Sequence, residues 1–171
     1  MKVTVIGPGR WGSCITWYLD KIGNDVTLYG MACDPAIKAF KETRKNSYLE
    51  LPLSVKLSTD INVVKEADVV VTSVPTQALQ GLMDELKPLG IKNKIFVYCM
   101  KGIEIATGRR ISEIVKDNLD SSNKIAVWVG PGHVQEFYRG VPNCMVIDSD
   151  DEPTKKLLVE SFSSELIRFY Y

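Results

Sequence analysis

The chain has 171 residues, 45% of them hydrophobic and 25% charged, enough apolar side chains for one core and too few residues for two ordinary domains. Its 21 Lys and Arg balance 21 Asp and Glu, so no net field holds a polyanion or an anionic membrane, and general nucleic-acid binding is excluded. No apolar run approaches the ~18 residues that cross a bilayer, and strand-like residues follow Lys2 at once without a leader, so a soluble, cytoplasmic protein is expected.

The run Val3 to Ile6 leads into GPGRWG at Gly7 to Gly12, after which Cys14, Ile15, Tyr18 and Leu19 recur at helical spacing. Gly23 and Asn24 stop that helix, and Val26 to Tyr29 form a second strand, so the first forty residues read as one βαβ unit. A helix is expected from Pro35 through Lys41, then an irregular connection around Asn46 to Pro52. Asp60 caps a short helix ending near Ala67. The unbroken run Val69, Val70, Val71 argues for a strand buried on both faces and closed by Pro75. Gln77 to Leu86 reads as helix, Lys94 to Cys99 as strand and Gly108 to Leu119 as helix. Ile125 to Val129 make a strand, Gly130 to Gly132 a loop, His133 to Tyr138 a short helix and Cys144 to Ile147 a strand. A helix from Pro153 to Ser163 precedes a last β-like run, Leu166 to Tyr171.

This alternation, without repeats or low-complexity segments, predicts an α/β fold with a doubly wound, mostly parallel sheet. Ending on Arg168, Phe169, Tyr170 and Tyr171, with no polar tail, suggests a truncated fragment. The four cysteines are widely spaced and match neither a disulfide framework nor a metal pair, and a single histidine excludes a His-rich metal site.

In a GxGxxG turn the first glycine permits the bend, the second lets backbone approach a pyrophosphate and the third allows close helix–strand contact. Here these are Gly7, Gly9 and Gly12. The helix that opens beside them favours a diphosphate, whereas the competing reading is a merely tight turn. The carboxylate that normally binds the NAD ribose is not evident, because Tyr29, Gly30 and Met31 occupy the strand end. Asp34 comes later, beside Pro35, where helix capping is its default role. Without a carboxylate a 2′-phosphate is not repelled, and Arg10 is available to bind one, so both NAD and NADP are permitted.

The loops SVPT (Ser73 to Thr76), MKGIE (Met100 to Glu104) and VGPGHVQE (Val129 to Glu136) also follow strands, and open on the sheet edge where ligands bind. Lys101 is the fixed cation at such a strand end, suited to hold a substrate oxygen or phosphate during hydride transfer. The alternative is a solvated surface lysine. His133 is weighed as a general base against a locally packed helix residue, and Trp11 as a cover for the cofactor against packing on the second strand.

Taken in order, GPGRWG, NSYLELPL, SVPT, MKGIEIATG and VGPGHVQE resemble the NAD(P)-dependent glycerol-3-phosphate dehydrogenases over essentially the whole chain. The resemblance implies an N-terminal, Rossmann-type NAD(P)-binding domain spanning residues 1–171, from a cytoplasmic enzyme of glycerophospholipid precursor synthesis. That enzyme interconverts dihydroxyacetone phosphate and sn-glycerol 3-phosphate. The resemblance puts Gly7, Pro8, Gly9, Arg10, Trp11 and Gly12 against the cofactor, Met31 at the adenosine ribose and Val134 near the nicotinamide. It has Lys101 touching both cofactor and substrate, and Gly130 and Gly132 meeting the substrate, with Glu136 at the acidic end of that motif.

Three positions depart from the family pattern: Arg10 replaces a small residue, Met31 a polar or basic one, and Gly132 a hydroxyl residue. The family's helical C-terminal domain, with a second lysine as the proposed general acid–base, is absent from residues 1–171. Any homodimer contact of the full-length enzyme is expected to draw on it. The chain is therefore expected to bind NAD(H) or NADP(H) and to turn over negligibly. Competing readings are another Rossmann reductase, of ketopantoate, pyrroline-carboxylate or 6-phosphogluconate type, and a stand-alone dinucleotide-binding module.

Overall fold

The β-branched runs become the middle of one eight-stranded sheet in the computed structural model, which describes residues 1–171. In chain order the elements are β1 (Lys2–Ile6), α1 (Arg10–Lys21), β2 (Asp25–Tyr29), α2 (Pro35–Thr43), β3 (Lys56–Ser58), β4 (Val69–Thr72) and α3 (Leu79–Leu86). There follow β5 (Ile95–Tyr98), α4 (Ile111–Asn118), β6 (Lys124–Val129), α5 (Val134–Tyr138), β7 (Asn143–Ser149), α6 (Glu152–Phe162) and β8 (Ile167–Tyr170). The strand order is β3-β2-β1-β4-β5-β6-β7-β8, parallel throughout except where β7 runs antiparallel to β6. Because β1 pairs with both β2 and β4, the winding reverses there, and a crevice opens beyond the carboxyl ends of the strands.

Period-two alternation divides the core between the two faces of the sheet. Val3 and Val5 of β1, Val69 and Val71 of β4 and Val97 of β5 join one buried cluster with α1, α2, α5 and α6. Ile6, Val70 and Phe96 join the other with α3 and α4. Burial on both faces explains the unbroken Val69 to Val71 run. Side-chain caps open two of the helices, the first of them expected from the sequence. Asp34 accepts the Ala36 N–H at 2.8 Å, with Pro35 in the first turn of α2. Asp151 accepts the Thr154 N–H at 3.1 Å at the start of α6.

The structure also corrects the sequence reading. β3, absent from that reading, forms the sheet edge beside β2. Helix α4 starts at Ile111 rather than Gly108. Gly108 takes φ +72°, and its N–H is drawn to the Glu104 carbonyl, which keeps these residues in the preceding loop. The expected helix from Asp60 is a 3-10 segment, Ile61–Glu66, and a 3-10 turn, Thr76–Ala78, precedes α3. No helix is long and apolar enough to cross a membrane.

Candidate functional site

The glycines after β1 hold three different relations to their surroundings. Gly7, at φ +108°, donates its N–H to the Tyr29 carbonyl at 3.0 Å, and a Cβ there would strike the Ser73 backbone. A Cβ on Gly12 would overlap the Gly7 carbonyl oxygen. These two are glycines because backbone meets backbone. Gly9 has an ordinary φ of −68°, and a Cβ there would find nothing within 4 Å. Nothing within the protein demands a glycine at position 9, and open space lies before it. The amides of Gly9, Arg10, Trp11 and Gly12 have no acceptor within the protein, and the first bond of α1 runs from Ser13 N–H to the Gly9 carbonyl at 3.0 Å. Unpaired donors at the positive end of a twelve-residue helix form a receptacle for a phosphate anion. Pro8 packs against Gly30 at the end of β2, so tightly that a Cβ on Gly30 would sit 2.8 Å from the Pro8 ring.

A cleft of about 400 Å³ opens over the ends of β4, β5 and β6, and among its walls are Trp11, Thr76, Lys101, Trp128, Gly130 and Gly132. Lys101 is the only charged side chain lining it, and its ammonium takes part in no ion pair. The loop that carries Lys101 is fastened by the buried Glu104, which accepts the Thr107 hydroxyl and the Arg109 guanidinium, the latter at 3.2 Å. First the Thr107 hydroxyl and then Arg109 hold the Glu104 carboxyl below its usual range. Cys99 also lines the cleft, but burial pushes its thiol up, as it pushes Cys14 up to about 12, so neither is a ready nucleophile.

The structure thus brings Trp11, Lys101, Gly130 and Gly132 together beside the glycine loop. Other residues expected at the site are placed differently. Val134 is only 2% exposed, with its side chain in the core, and its N–H has no acceptor within the protein. His133 is exposed at the start of α5 and is not among the residues lining the cleft. Asp34 takes its default role as the α2 cap. Trp11 packs on Phe137 of α5, centroids 6.2 Å apart. Met31 is 51% exposed at the end of β2, with no carboxylate in its place. Glu136 lies in the first turn of α5, where a carboxylate suits the helix dipole.

Arg10 is engaged away from the end of β2. Its guanidinium donates to Gln135 Oε1 at 2.7 Å and lies over the Tyr48 ring at 4.6 Å, so the expectation that it meets a 2′-phosphate is not supported by its contacts. Around it the 44–55 segment crosses α1. Asn46 Nδ2 donates to Ser13 Oγ at 3.0 Å, and the Glu50 N–H donates to the Tyr138 hydroxyl at 3.3 Å. Sequence reasoning missed these ties and the contacts of Gln77 with the Lys101 loop, because the partners lie far apart in the chain. Gly132 explains its own departure from a hydroxyl residue: at φ +149°, a Cβ would come within 2.5 Å of the Phe137 ring Cζ.

A parallel sheet with a glycine bend at its switch point, unpaired amides and an adjoining cleft defines a dinucleotide-binding domain of the Rossmann type. The sequence profile described as NAD-dependent glycerol-3-phosphate dehydrogenase N-terminus matches residues 2–155, and the chain belongs to that family. It is 33% identical over 174 aligned positions to a glycerol-3-phosphate dehydrogenase [NAD(P)+] of Thermoanaerobacter sp., covering 99% of this chain and 52% of that protein. A Pelodictyon phaeoclathratiforme protein of the same name is 31% identical over 99% of this chain and 53% of its own length. The crystal structure of glycerol-3-phosphate dehydrogenase from Coxiella burnetii superposes with a TM-score of 0.89 at 22% identity, covering 99% of this chain and 53% of that one. The chain spans about half the length of the relatives it matches.

Proposed function

We propose that residues 1–171 hold NAD(H) or NADP(H) and one end of a small phosphorylated ketone or alcohol, as the nucleotide-binding half of a glycerol-3-phosphate dehydrogenase. One observation carries the reading: the cleft whose sole charge is Lys101 shares Trp11 with the loop of unpaired amides. The pyrophosphate rests on the amides of Gly9 to Gly12 beside Gly7 and Pro8, Met31 borders the adenosine ribose, and the Val134 N–H serves the nicotinamide side. Lys101 touches cofactor and substrate, with Gly130 and Gly132 forming the substrate wall. When bound, the cofactor supplies or accepts a hydride.

Lys101 binds a phosphate or carbonyl oxygen and offsets negative charge on it, while Trp11 and Trp128 exclude water. Besides Lys101 the only other ionisable side chain in the cleft is Cys99, whose thiol burial pushes up, and His133 lies outside the lining. The substrate is dihydroxyacetone phosphate or sn-glycerol 3-phosphate, and turnover by residues 1–171 alone is negligible. A cytoplasmic setting agrees with four unpaired cysteines. Calorimetric titration with NADH and NADPH, with a turnover assay on dihydroxyacetone phosphate, tests the proposal. Absence of nucleotide binding refutes it, and measurable reduction by the 171-residue chain refutes the inactivity.

A further inference from the structure

We propose that Gln77 is a positioning residue for Lys101, its carboxamide standing in for a neighbouring strand along the loop that carries the lysine. The inference rests on the reading that Lys101 contacts the nucleotide.

Between β5 and α4 the chain runs from Cys99 to Arg110 without helix or strand, and an Ile103 to Arg110 bridge closes its second half. Beyond the buried Met100, apolar packing does not fix residues 101–105, because Ile103 is 55% and Ile105 85% exposed. Hydrogen bonds from the turn after β4 do so instead. The Thr76 hydroxyl donates to the Lys101 carbonyl at 2.7 Å. Gln77 Nε2 donates to the Ile103 carbonyl at 3.0 Å, and the Ile105 N–H donates to Gln77 Oε1 at 2.9 Å.

Residues 101, 103 and 105 are thus gripped in the i, i+2, i+4 pattern by which a strand is held by its neighbour. A primary amide is suited to this, with donor and acceptor on one planar group. Glutamate lacks the donor and leucine lacks both. The grip comes from the 3-10 turn Thr76–Ala78, which follows β4 after three residues, so the β4 end of the sheet sets the position of the Lys101 backbone. Glu104, Thr107 and Arg109 close the far side of the same loop.

A double-mutant cycle on the 171-residue chain separates positioning from general support of the fold. NADH affinity is measured by calorimetry for the parent, K101A, Q77L and Q77L/K101A, with thermal melting of each. Loss of the ammonium in K101A weakens NADH about tenfold, and Q77L alone weakens it about fivefold with little change in melting. The double variant binds like K101A, because Gln77 has nothing left to position.

Parental affinity in Q77L, or losses that multiply in the double variant, overturn the positioning role while the K101A loss leaves the reading of Lys101 standing. Parental affinity in K101A removes that reading, and the proposal with it. Should Q77L fail to fold, T76V enters the same cycle, since it deletes the bond to the Lys101 carbonyl at nearly constant volume. A T76V loss that persists in the K101A background overturns the proposal in the same way.

Discussion

Replacing Gly9 by valine and Gly12 by alanine should have opposite effects, and the contrast tests the nucleotide site apart from the fold. Gly9 already has a φ that L-residues adopt, and a Cβ there meets nothing within 4 Å. G9V restricts the unfolded chain, which stabilises by ~0.4–1 kcal/mol, and gives up a better N-cap residue at a cost of similar size. Melting is therefore expected to move by no more than about 4 °C. The added methyls project into the space from which a pyrophosphate reaches the four free amides. Losing two charge-assisted bonds at roughly 1.5 kcal/mol each weakens NADH about a hundredfold.

In G12A the new Cβ overlaps the Gly7 carbonyl oxygen, with the carbonyl carbon at 3.1 Å and Ser73 Cβ at 3.3 Å. Backbone must give way there, at a cost of about 3 kcal/mol or more. Melting of G12A should fall by about 6–12 °C. Calorimetric melting and NADH titration of both variants read the two effects separately. Parental NADH affinity in G9V, or parental melting in G12A, would refute the reasoning.

With no carboxylate at the end of β2, NAD(H) and NADP(H) should bind within about tenfold of one another. M31D should then favour NAD(H) by about tenfold through repulsion of the 2′-phosphate, as paired titrations would show. G132S should destabilise by about 2 kcal/mol through the Phe137 ring and the left-handed backbone, and in a melting series G132S/F137A should lose less than the sum of the single variants.

The Thr154 hydroxyl, followed by Lys124, pulls the Asp151 carboxyl down to about 2. A depressed carboxylate stabilises the fold fully above its unfolded pKa, ~3.9, and ceases to do so as pH falls through the folded value. The parent should therefore lose more melting temperature between pH 4 and 2 than D151N, which should be the less stable of the two at pH 7. Equal slopes for the two proteins would count against the role of this cap.

Local signals carried most of the fold. Val3 to Ile6, the glycine loop and the spacing of Cys14, Ile15, Tyr18 and Leu19 place β1 and α1 correctly, since strand burial and helix amphipathicity both leave a period in the sequence. β3 leaves none, being three residues of Lys, Leu and Ser at the sheet edge. The start of α4 misleads because apolar spacing continues while Gly108 and Glu104 already commit the backbone to a loop.

At the site, Lys101, Gly130, Gly132 and Trp11 were legible because each follows a strand that ends on the same edge. The clamp by Gln77 was not, since its partners lie 26 and 28 residues away. The burial of Val134 follows from α5 packing on α1, which no motif encodes.

The ties that cross α1 also set an order of events during synthesis. The glycine bend leaves the ribosome early, yet Arg10 finds Gln135 across 125 residues of chain, and Glu50 finds Tyr138 across 88. A nascent chain that has made only its first βαβ unit lacks both partners, and such long closures are slow. The surroundings of the glycine bend should therefore be completed only once Gln135 and Tyr138 have emerged, well after the motif itself.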